Sequence, residues 1–467
     1  MLTLLVSIAL LVISITAALH ALLTKRDSKS ALAWVSFCLI IPLFGPLIYL
    51  IFGINRITTK AQKLFLTQSQ EDNSETIREP EGTSFRPLSL VGESLTNLGL
   101  RSCNELEILE NGEALYPQML ECINSAKHRV YLCTYLFQND HTGDQFVKAL
   151  LAAQLRGVDV RVIVDGLGEF AYPPRIGKKL RKNKINFQLF NPIRFVPPSL
   201  HLNMRNHRKI MLVDGETAFT GGQNIGDRHL ITKIENTIPT VDLHFRLSGK
   251  IVDDFERAFL KDWHQCSGVA EKSVFEVSNN NDPGSDIWTR LILDGPNENL
   301  DKLNELLTGV LSSAHSRIWI MTPYFLPGAD LLGALLGAKL RGVDVRILLP
   351  ERTNIHLAHW AAQHNLRHIL AKGLRVYSQP APFIHTKAII IDDTYSLIGS
   401  ANLDARSLRL NFELGLEIFS TDVNRQLSEY FERRLNTAIE INDRQLRKRP
   451  GWMRLRDACA WLFSPYL

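Results

Sequence analysis

Leu150-Leu-Ala-Ala-Gln-Leu-Arg-Gly-Val-Asp-Val-Arg-Val-Ile-Val164 comes back later in the chain as Leu335-Leu-Gly-Ala-Lys-Leu-Arg-Gly-Val-Asp-Val-Arg-Ile-Leu-Leu349. The core of this stretch, Arg156–Arg161, recurs unchanged at Arg341–Arg346, an offset of 185. Upstream, Arg129-Val-Tyr-Leu-Cys-Thr134 answers Arg317-Ile-Trp-Ile-Met-Thr322 at an offset of 188. A drifting offset means one ancestral unit with loops of different length. Two units are too few for a solenoid and point to two like domains related by a pseudo-twofold axis. Each unit reads the same way. An amphipathic helix near Tyr116–Ala126 or Leu303–Ala314 leads to an apolar strand. A second helix follows and stops at Gly157 or Gly342, since glycine accepts the left-handed turn after a helix. A β-branched strand, Val158–Val164 or Val343–Leu349, comes next. Strands alternating with helices predict an α/β fold with a largely buried sheet. The units are bounded at 105–277 and 285–440, with the turn-forming run Ser278–Gly284 between them.

Working outward, each unit carries the same short motif. The first reads Asn206-His207-Arg208-Lys209-Ile-Met-Leu-Val-Asp214, then Gly221-Gly222-Gln223-Asn224. The second reads Ile384-His385-Thr386-Lys387-Ala-Ile-Ile-Ile-Asp392, then Gly399-Ser400-Ala401-Asn402. Spacing matches from His to Asn. On a strand, residues i and i+2 face the same side, so His207 points with Lys209, and His385 with Lys387. The glycine pair suits a tight turn that returns the Asn to the site. These residue types fit an anionic phosphodiester. Lysine supplies fixed positive charge and Asn224 and Asn402 supply neutral hydrogen bonds. A neutral His can attack phosphorus, and a protonated second His can donate to the leaving alcohol. One His per unit fills both roles only if the units share one active site. The lysines replace a cation clamp, so no metal and no cofactor is implied. A nucleophilic imidazole needs an acceptor on its other nitrogen, and Asp242 and Glu413 are the candidates. Asp214 and Asp392 are counted with the catalytic set by their spacing; their other role is to fix the strand and its turn. Asp404 and Arg406 read as an ordinary surface ion pair.

The chain has 467 residues, 45% of them apolar, a net charge of +5 and a pI near 8.8. That suits two domains plus extras. The mild basicity fits an anionic partner, without the strong basic stripe of a nucleic-acid binder. Six scattered cysteines form no CxxC and no zinc spacing, and read as buried free thiols. Leu2–Leu23 is nearly all apolar and Ala31–Phe52 has no charge. Each is long enough for a hydrocarbon core of ~30 Å, so residues 1–56 read as a two-span hairpin anchor. A cleaved signal peptide is disfavoured, because no basic region precedes Leu2 and a second span follows at once. Pro42, Gly45 and Pro46 kink that second span or make it re-entrant. Basic residues flank both ends, so charge asymmetry says little. With two spans, both termini of the anchor lie on one side, taken as the cytoplasmic one. Residues 57–104 are polar and read as a tether. Residues 441–467 are basic and amphipathic, with Trp452 and Trp461. They read either as a membrane-interface segment or as a helix docked on the domain.

The paired motif resembles that of the phospholipase D superfamily. Over nearly its full length the chain resembles bacterial cardiolipin synthases of the two-span type. The resemblance rests on Ala33-Trp34, Pro42–Gly53, Phe219–Asp227, Thr322-Pro-Tyr324 and Gly399–Ser407. It implies two phospholipase D-like repeats with a shared site, in a multi-pass protein of the bacterial inner membrane. It also implies transfer of a phosphatidyl group from one phosphatidylglycerol to another, releasing glycerol through a phosphohistidine. Phosphatidylglycerol and other anionic phospholipids are then the partners, not nucleic acid. His207 takes the nucleophile's role and His385 the acid's. The rival functions are a hydrolase of the same superfamily and a non-catalytic lipid-binding scaffold; intact His and Lys in both units count against the scaffold.

Overall fold

The computed structural model describes residues 2–25, 28–53, 85–195, 198–199, 203–233, 236, 238–268, 286–297 and 299–466. It divides into two compact units, Met1–Gln70 and Glu71–Leu467.

In the first unit one helix, Leu2–Thr24, contains an apolar run, Leu4–Thr24, long enough to cross a bilayer. The second apolar stretch is interrupted where Pro42, Gly45 and Pro46 are expected to kink it or make it re-entrant. It breaks into a helix Ser28–Ile40, a short helix Phe44–Ile48 and a π-turn Tyr49–Gly53. Thirteen helical residues rise only about 20 Å, short of the ~30 Å hydrocarbon core. The break falls at Pro42, which has no N–H to continue the ladder. Ser14 Oγ donates to the Pro42 carbonyl at 2.9 Å, and Tyr49 hydroxyl meets His20 Nδ1 at 2.7 Å. A carbonyl freed from a helix within lipid needs such a partner.

The first strands of the second unit are β1 (Arg101–Ser102) and β2 (Glu105–Glu110). The first repeat contributes β3 (Arg129–Thr134), β4 (Asp159–Asp165), β5 (Phe187–Phe190), the small hairpin β6 (Arg194–Phe195) and β7 (Pro198–Ser199), then β8 (Ile210–Val213), β9 (Thr217–Gly221), β10 (Thr240–Val241) and β11 (Leu243–Ser248). The second contributes β12 (Trp288–Asp294), β13 (Arg317–Met321), β14 (Asp344–Pro350), β15 (Arg375–Gln379), β16 (Phe383–Ile384), β17 (Ala388–Ile391), β18 (Tyr395–Gly399), β19 (Glu413–Phe419) and β20 (Ile439–Glu440). The sheets run β2-β11-β9-β8-β3-β4-β5 and β1-β12-β19-β18-β17-β13-β14-β15-β20. Seven strands of each correspond in order, which is the expected repeat. Helices Asn111–Ser125 and His141–Leu155 bury one face on the first sheet, and Lys302–Ser313 and Ala329–Leu340 do so on the second. Gly157 and Gly342 sit at φ +90° and +93° just past their helices, where a Cβ would be strained.

The repeats are joined by backbone as well as side chains. β10 of the first pairs in parallel with β16 of the second, Val241 against Ile384. The reciprocal contact is a parallel bridge between Asn206 and Phe412.

The stretch 57–104 is not a tether throughout. Residues 85–102 lie against the second repeat. Helix Arg86–Thr96 buries Leu88 and packs Val91 and Leu95 on that core, an i, i+3, i+7 stripe. Arg290 Nη1 donates to the Ser89 carbonyl at 2.8 Å while pairing with Glu417 at 3.0 Å. At the other end, helix Gly451–Trp461 docks on helix His356–Ala371. The break at Ser278–Gly284 lies outside the described residues. Cys38, Cys103 and Cys133 are buried free thiols as expected, but Cys459 is exposed.

Candidate active site

The two histidines stand in extended segments just before β8 and β17. Their amides are held by the opposite repeat. His207 N–H donates to the Phe412 carbonyl at 2.9 Å, and His385 N–H to the Val241 carbonyl at 2.7 Å. The next residue in each case is the acid. His385 Nδ1 lies 2.7 Å from Asp242 Oδ2, and His207 Nδ1 lies 3.0 Å from Glu413 Oε1. The Asp242 contact is a hydrogen bond, while Glu413 Oε1 approaches His207 without forming one, so the Nδ1 side of each imidazole faces a carboxylate of the other repeat but only His385 is bonded to it. Asp242 and Glu413 are almost wholly buried, whereas both imidazoles keep part of their surface open. An acceptor on Nδ1 leaves Nε2 as the atom that faces a ligand.

Lys387 Nζ sits 2.9 Å from His385 Nδ1 and 3.0 Å from its Nε2, and donates to the His385 carbonyl at 2.6 Å. Lys209 Nζ donates to the His207 carbonyl at 2.6 Å. Burial lowers the Lys209 ammonium and brings Lys387 down to about 7, with Asp242 and Glu413 opposing the fall. Burial, then Lys387, Lys209 and Arg228, hold His385 well below the ordinary imidazole range. It is neutral in the ligand-free site. The lysines, each opposed by the buried Asp242 and Glu413 carboxylates, present ammonium donors that a phosphate anion can accept from.

Asn224 accepts the Leu136 N–H on Oδ1 at 3.1 Å, so its NH2 is the end able to donate to an anion. With Lys209, Thr134 and His244 it lines a water-sized cavity of about 10 Å³. Asn402 is buried in the matching place, and its Oδ1 makes no hydrogen bond.

Asp214 and Asp392 are not at this site. They stand beyond the far ends of β8 and β17, at φ +54° and +50°. Asp214 accepts backbone N–H groups of Lys127, His128 and Arg129 at 2.8–2.9 Å. Asp392 does the same for His315, Ser316 and Arg317. Burial would raise both carboxyls, and these amides together bring them below the ordinary range. Each aspartate ties its motif strand to the start of β3 or β13, the structural one of its two expected roles. Asp404 is no surface residue either. It is buried, caps helix Ala405–Arg409 by accepting the Ser407 N–H at 2.7 Å, and is raised by burial to about 7.

Sequence reasoning missed the groups that hold the His207 segment. Arg208 Nη1 pairs with Asp262 at 2.7 Å, and its Nε and Nη2 reach the Glu413 and Asp294 carbonyls. Arg205 pairs with Asp165 at 3.2 Å, and Asp165 also accepts the Asn206 N–H. All four charged groups are buried. Two arginines within four residues of the histidine were the available signal. Tyr135, following β3, sets its ring edge-on to His207 with centroids 4.4 Å apart.

Two α/β repeats that cross acids and histidines over paired lysines define an enzyme of phosphodiester transfer of the phospholipase D (PLD) type. The family model described as cardiolipin synthase, PLD-like domain, matches residues 119–263 and 307–435, and a phospholipase D-nuclease N-terminal model matches 12–53. The chain belongs to this cardiolipin synthase, PLD-like family. It is 29% identical to the major cardiolipin synthase of Bacillus subtilis (strain 168) over 95% of each chain. It is 31% identical to cardiolipin synthase 2 of Bacillus cereus, over 95% of this chain and 88% of that one. The crystal structure of the phosphatidylserine synthase of Haemophilus influenzae Rd KW20 superposes with a TM-score of 0.62 at 18% identity, covering 81% of this chain and 100% of that one. The last is a likeness of fold.

Proposed function

We propose that this chain is a membrane-anchored phosphatidyltransferase that makes cardiolipin from two molecules of phosphatidylglycerol. The observation that carries this is the pair of crossed acid–histidine contacts beside Lys209 and Lys387. The donor's phosphate accepts hydrogen bonds from the Lys209 and Lys387 ammonium groups. His207 Nε2 attacks phosphorus while Glu413 steadies the positive charge growing on the ring. The P–O bond to the donor's head-group glycerol breaks, and that oxygen takes a proton from His385, leaving free glycerol. A hydroxyl of the second phosphatidylglycerol then attacks the phosphohistidine. His385 removes its proton, and His207 is released. His385 must gain a proton when lipid binds, because it is neutral beforehand. The phosphate anion offsets the lysine charges that depress it. Asn224 and Asn402 donate to the phosphate oxygens. The anchor holds the protein in the bacterial inner membrane, with the catalytic unit on the cytoplasmic face.

The test uses the full chain in lipid with labelled phosphatidylglycerol, products read by mass spectrometry. Cardiolipin and free glycerol in equal amounts are expected. Phosphatidic acid without cardiolipin is the hydrolase's outcome and overturns the reading. His207→Ala and His385→Ala each abolish turnover. His385→Ala still accumulates phosphatidyl-enzyme from a donor with an activated leaving group, and His207→Ala does not. The reverse result exchanges the two roles.

A further inference from the structure

We infer that the carboxyl-terminal helix and the turn after it form a second membrane contact, which seats the catalytic unit on an anionic lipid surface beside its active site.

Helix Gly451–Trp461 has a mixed docked face and an exposed apolar stripe. Met453, Arg456, Asp457 and Ala460 face inward or sideways onto helix His356–Ala371. Trp452, Leu455, Cys459 and Leu462, spaced 3, 4 and 3, face out. Trp452, Leu455 and Leu462 are 62%, 66% and 68% exposed, and Phe463 continues the stripe. A helix already docked on its domain gains nothing in water from an exposed apolar stripe. Contiguous patches of this kind mark interaction surfaces. Tryptophan and leucine beside arginine is the pattern of a helix lying in a membrane interface.

The cations sort in the same way. Arg449 and Arg456 turn inward, each 2.8 Å from buried Asp457, and Arg456 stacks 4.4 Å from the Trp360 ring. Arg444, Lys448 and Arg454 are exposed and make no ion pair among the described residues. Exposed cations around an apolar stripe complement anionic headgroups. A twofold contact with a second copy would set these like charges against each other. The bilayer is therefore the occupant.

The face is wired to the site. Ala460 packs in one cluster with Leu326 and Ala361. Leu326 lies two residues after Tyr324, and its N–H donates to the Leu403 carbonyl, next to Asn402, at 2.8 Å. The turn Ser464–Tyr466 packs on helix Ala405–Arg409. The segments that carry Tyr324, Asn402 and Asp404 thus touch the docking helix through Leu326 and the turn after it through helix Ala405–Arg409.

The experiment compares the full chain with Trp452→Ser/Leu455→Ser/Leu462→Ser, all exposed positions outside the catalytic set. Activity is measured on phosphatidylglycerol vesicles and on a short-chain phosphatidylglycerol below its micelle threshold. The triple variant should lose about tenfold on vesicles and keep its activity on the short-chain lipid. The activity arm rests on the lipid-transfer reading. A second arm does not: tryptophan fluorescence in vesicles of lipid with brominated acyl chains. The wild type should be quenched more strongly than Trp452→Phe/Trp461→Phe. Equal quenching overturns the docking face whatever the enzyme's reaction. So does equal activity of the triple variant on vesicles, an equal loss on both lipids, or a change of oligomeric state in detergent, which points to a second copy instead.

Discussion

Asp242→Asn tests the crossing of the two repeats most directly. The substitution keeps size and shape and removes one buried negative charge from a residue that is itself in the first repeat. Its effect falls on the histidine of the second. His385 stands 2.7 Å from Asp242, and burial, Lys387 and Lys209 already press it toward the neutral form. The Asp242 carboxylate is the near charge that favours a proton on that ring. Taking one partner from a buried charged pair costs about 3–5 kcal/mol. At 1.36 kcal/mol per factor of ten, a step that needs imidazolium slows by about 10²- to 10⁴-fold. The measurement is the initial rate of cardiolipin formation from labelled phosphatidylglycerol in mixed micelles, with melting followed in parallel to confirm the fold. A rate within about threefold of wild type, less than 1 kcal/mol, would refute the assignment of Asp242 to His385. Glu413→Gln is the mirror experiment and acts through His207.

Three further outcomes follow from the same geometry. Burial sets Lys387 near 7, so it is charged below that pH and neutral above it in the free enzyme. KM for phosphatidylglycerol should climb from about pH 7 to pH 9, by up to about tenfold per unit, and Lys387→Arg should flatten the climb at the expense of kcat; a pH-independent KM in the wild type contradicts this. Asp214→Asn should cost about 1–3 kcal/mol of stability by weakening three backbone hydrogen bonds, with kcat per folded molecule unchanged. Its folded pKa is depressed, so that contribution is present above the ordinary carboxyl range and disappears on acidification; a collapse of kcat in a well-folded Asp214→Asn returns the residue to the catalytic set. Asp404 is raised to about 7, so the wild type loses stability as pH rises from the carboxyl range to neutrality. Asparagine caps a helix as well as aspartate, so Asp404→Asn should melt higher than wild type near about pH 8 and equally near about pH 3, read by scanning calorimetry.

The repeat and its chemistry were legible because they are written locally. The Gly157 and Gly342 turns, the strands after them and the His-x-Lys pairs all depend on neighbours in the chain. Asp242 and Glu413 were legible as acceptors, but not the histidine each would serve. That choice is made by β10 meeting β16 and by Asn206 meeting Phe412, contacts between segments 143 to 206 residues apart. Motif spacing alone misplaced Asp214 and Asp392, since regular spacing reports a shared fold as readily as a shared site. Asp404 was misread because a carboxylate in a polar run looks solvated until its burial is seen. Arg205 and Arg208 were overlooked for the same reason. In the anchor the break at Pro42 was legible, but hydropathy measured only apolar length and did not show that the helix before it stops after thirteen residues.

The crossed pairing also bears on descent and on folding. Each histidine depends on an acid from the other repeat, which is what two identical subunits of a symmetric dimer would offer each other. A half-length ancestor with this arrangement could work only in pairs, and joining its two copies turned a concentration-dependent assembly into an intramolecular one. After the fusion the copies were free to diverge: Arg208 is locked to Asp262 on one side, while Thr386 meets the Tyr430 hydroxyl on the other. During synthesis the first repeat emerges with its histidine already in place but its acid not yet made. The crossed contacts are complete only when β19 brings Glu413 to His207.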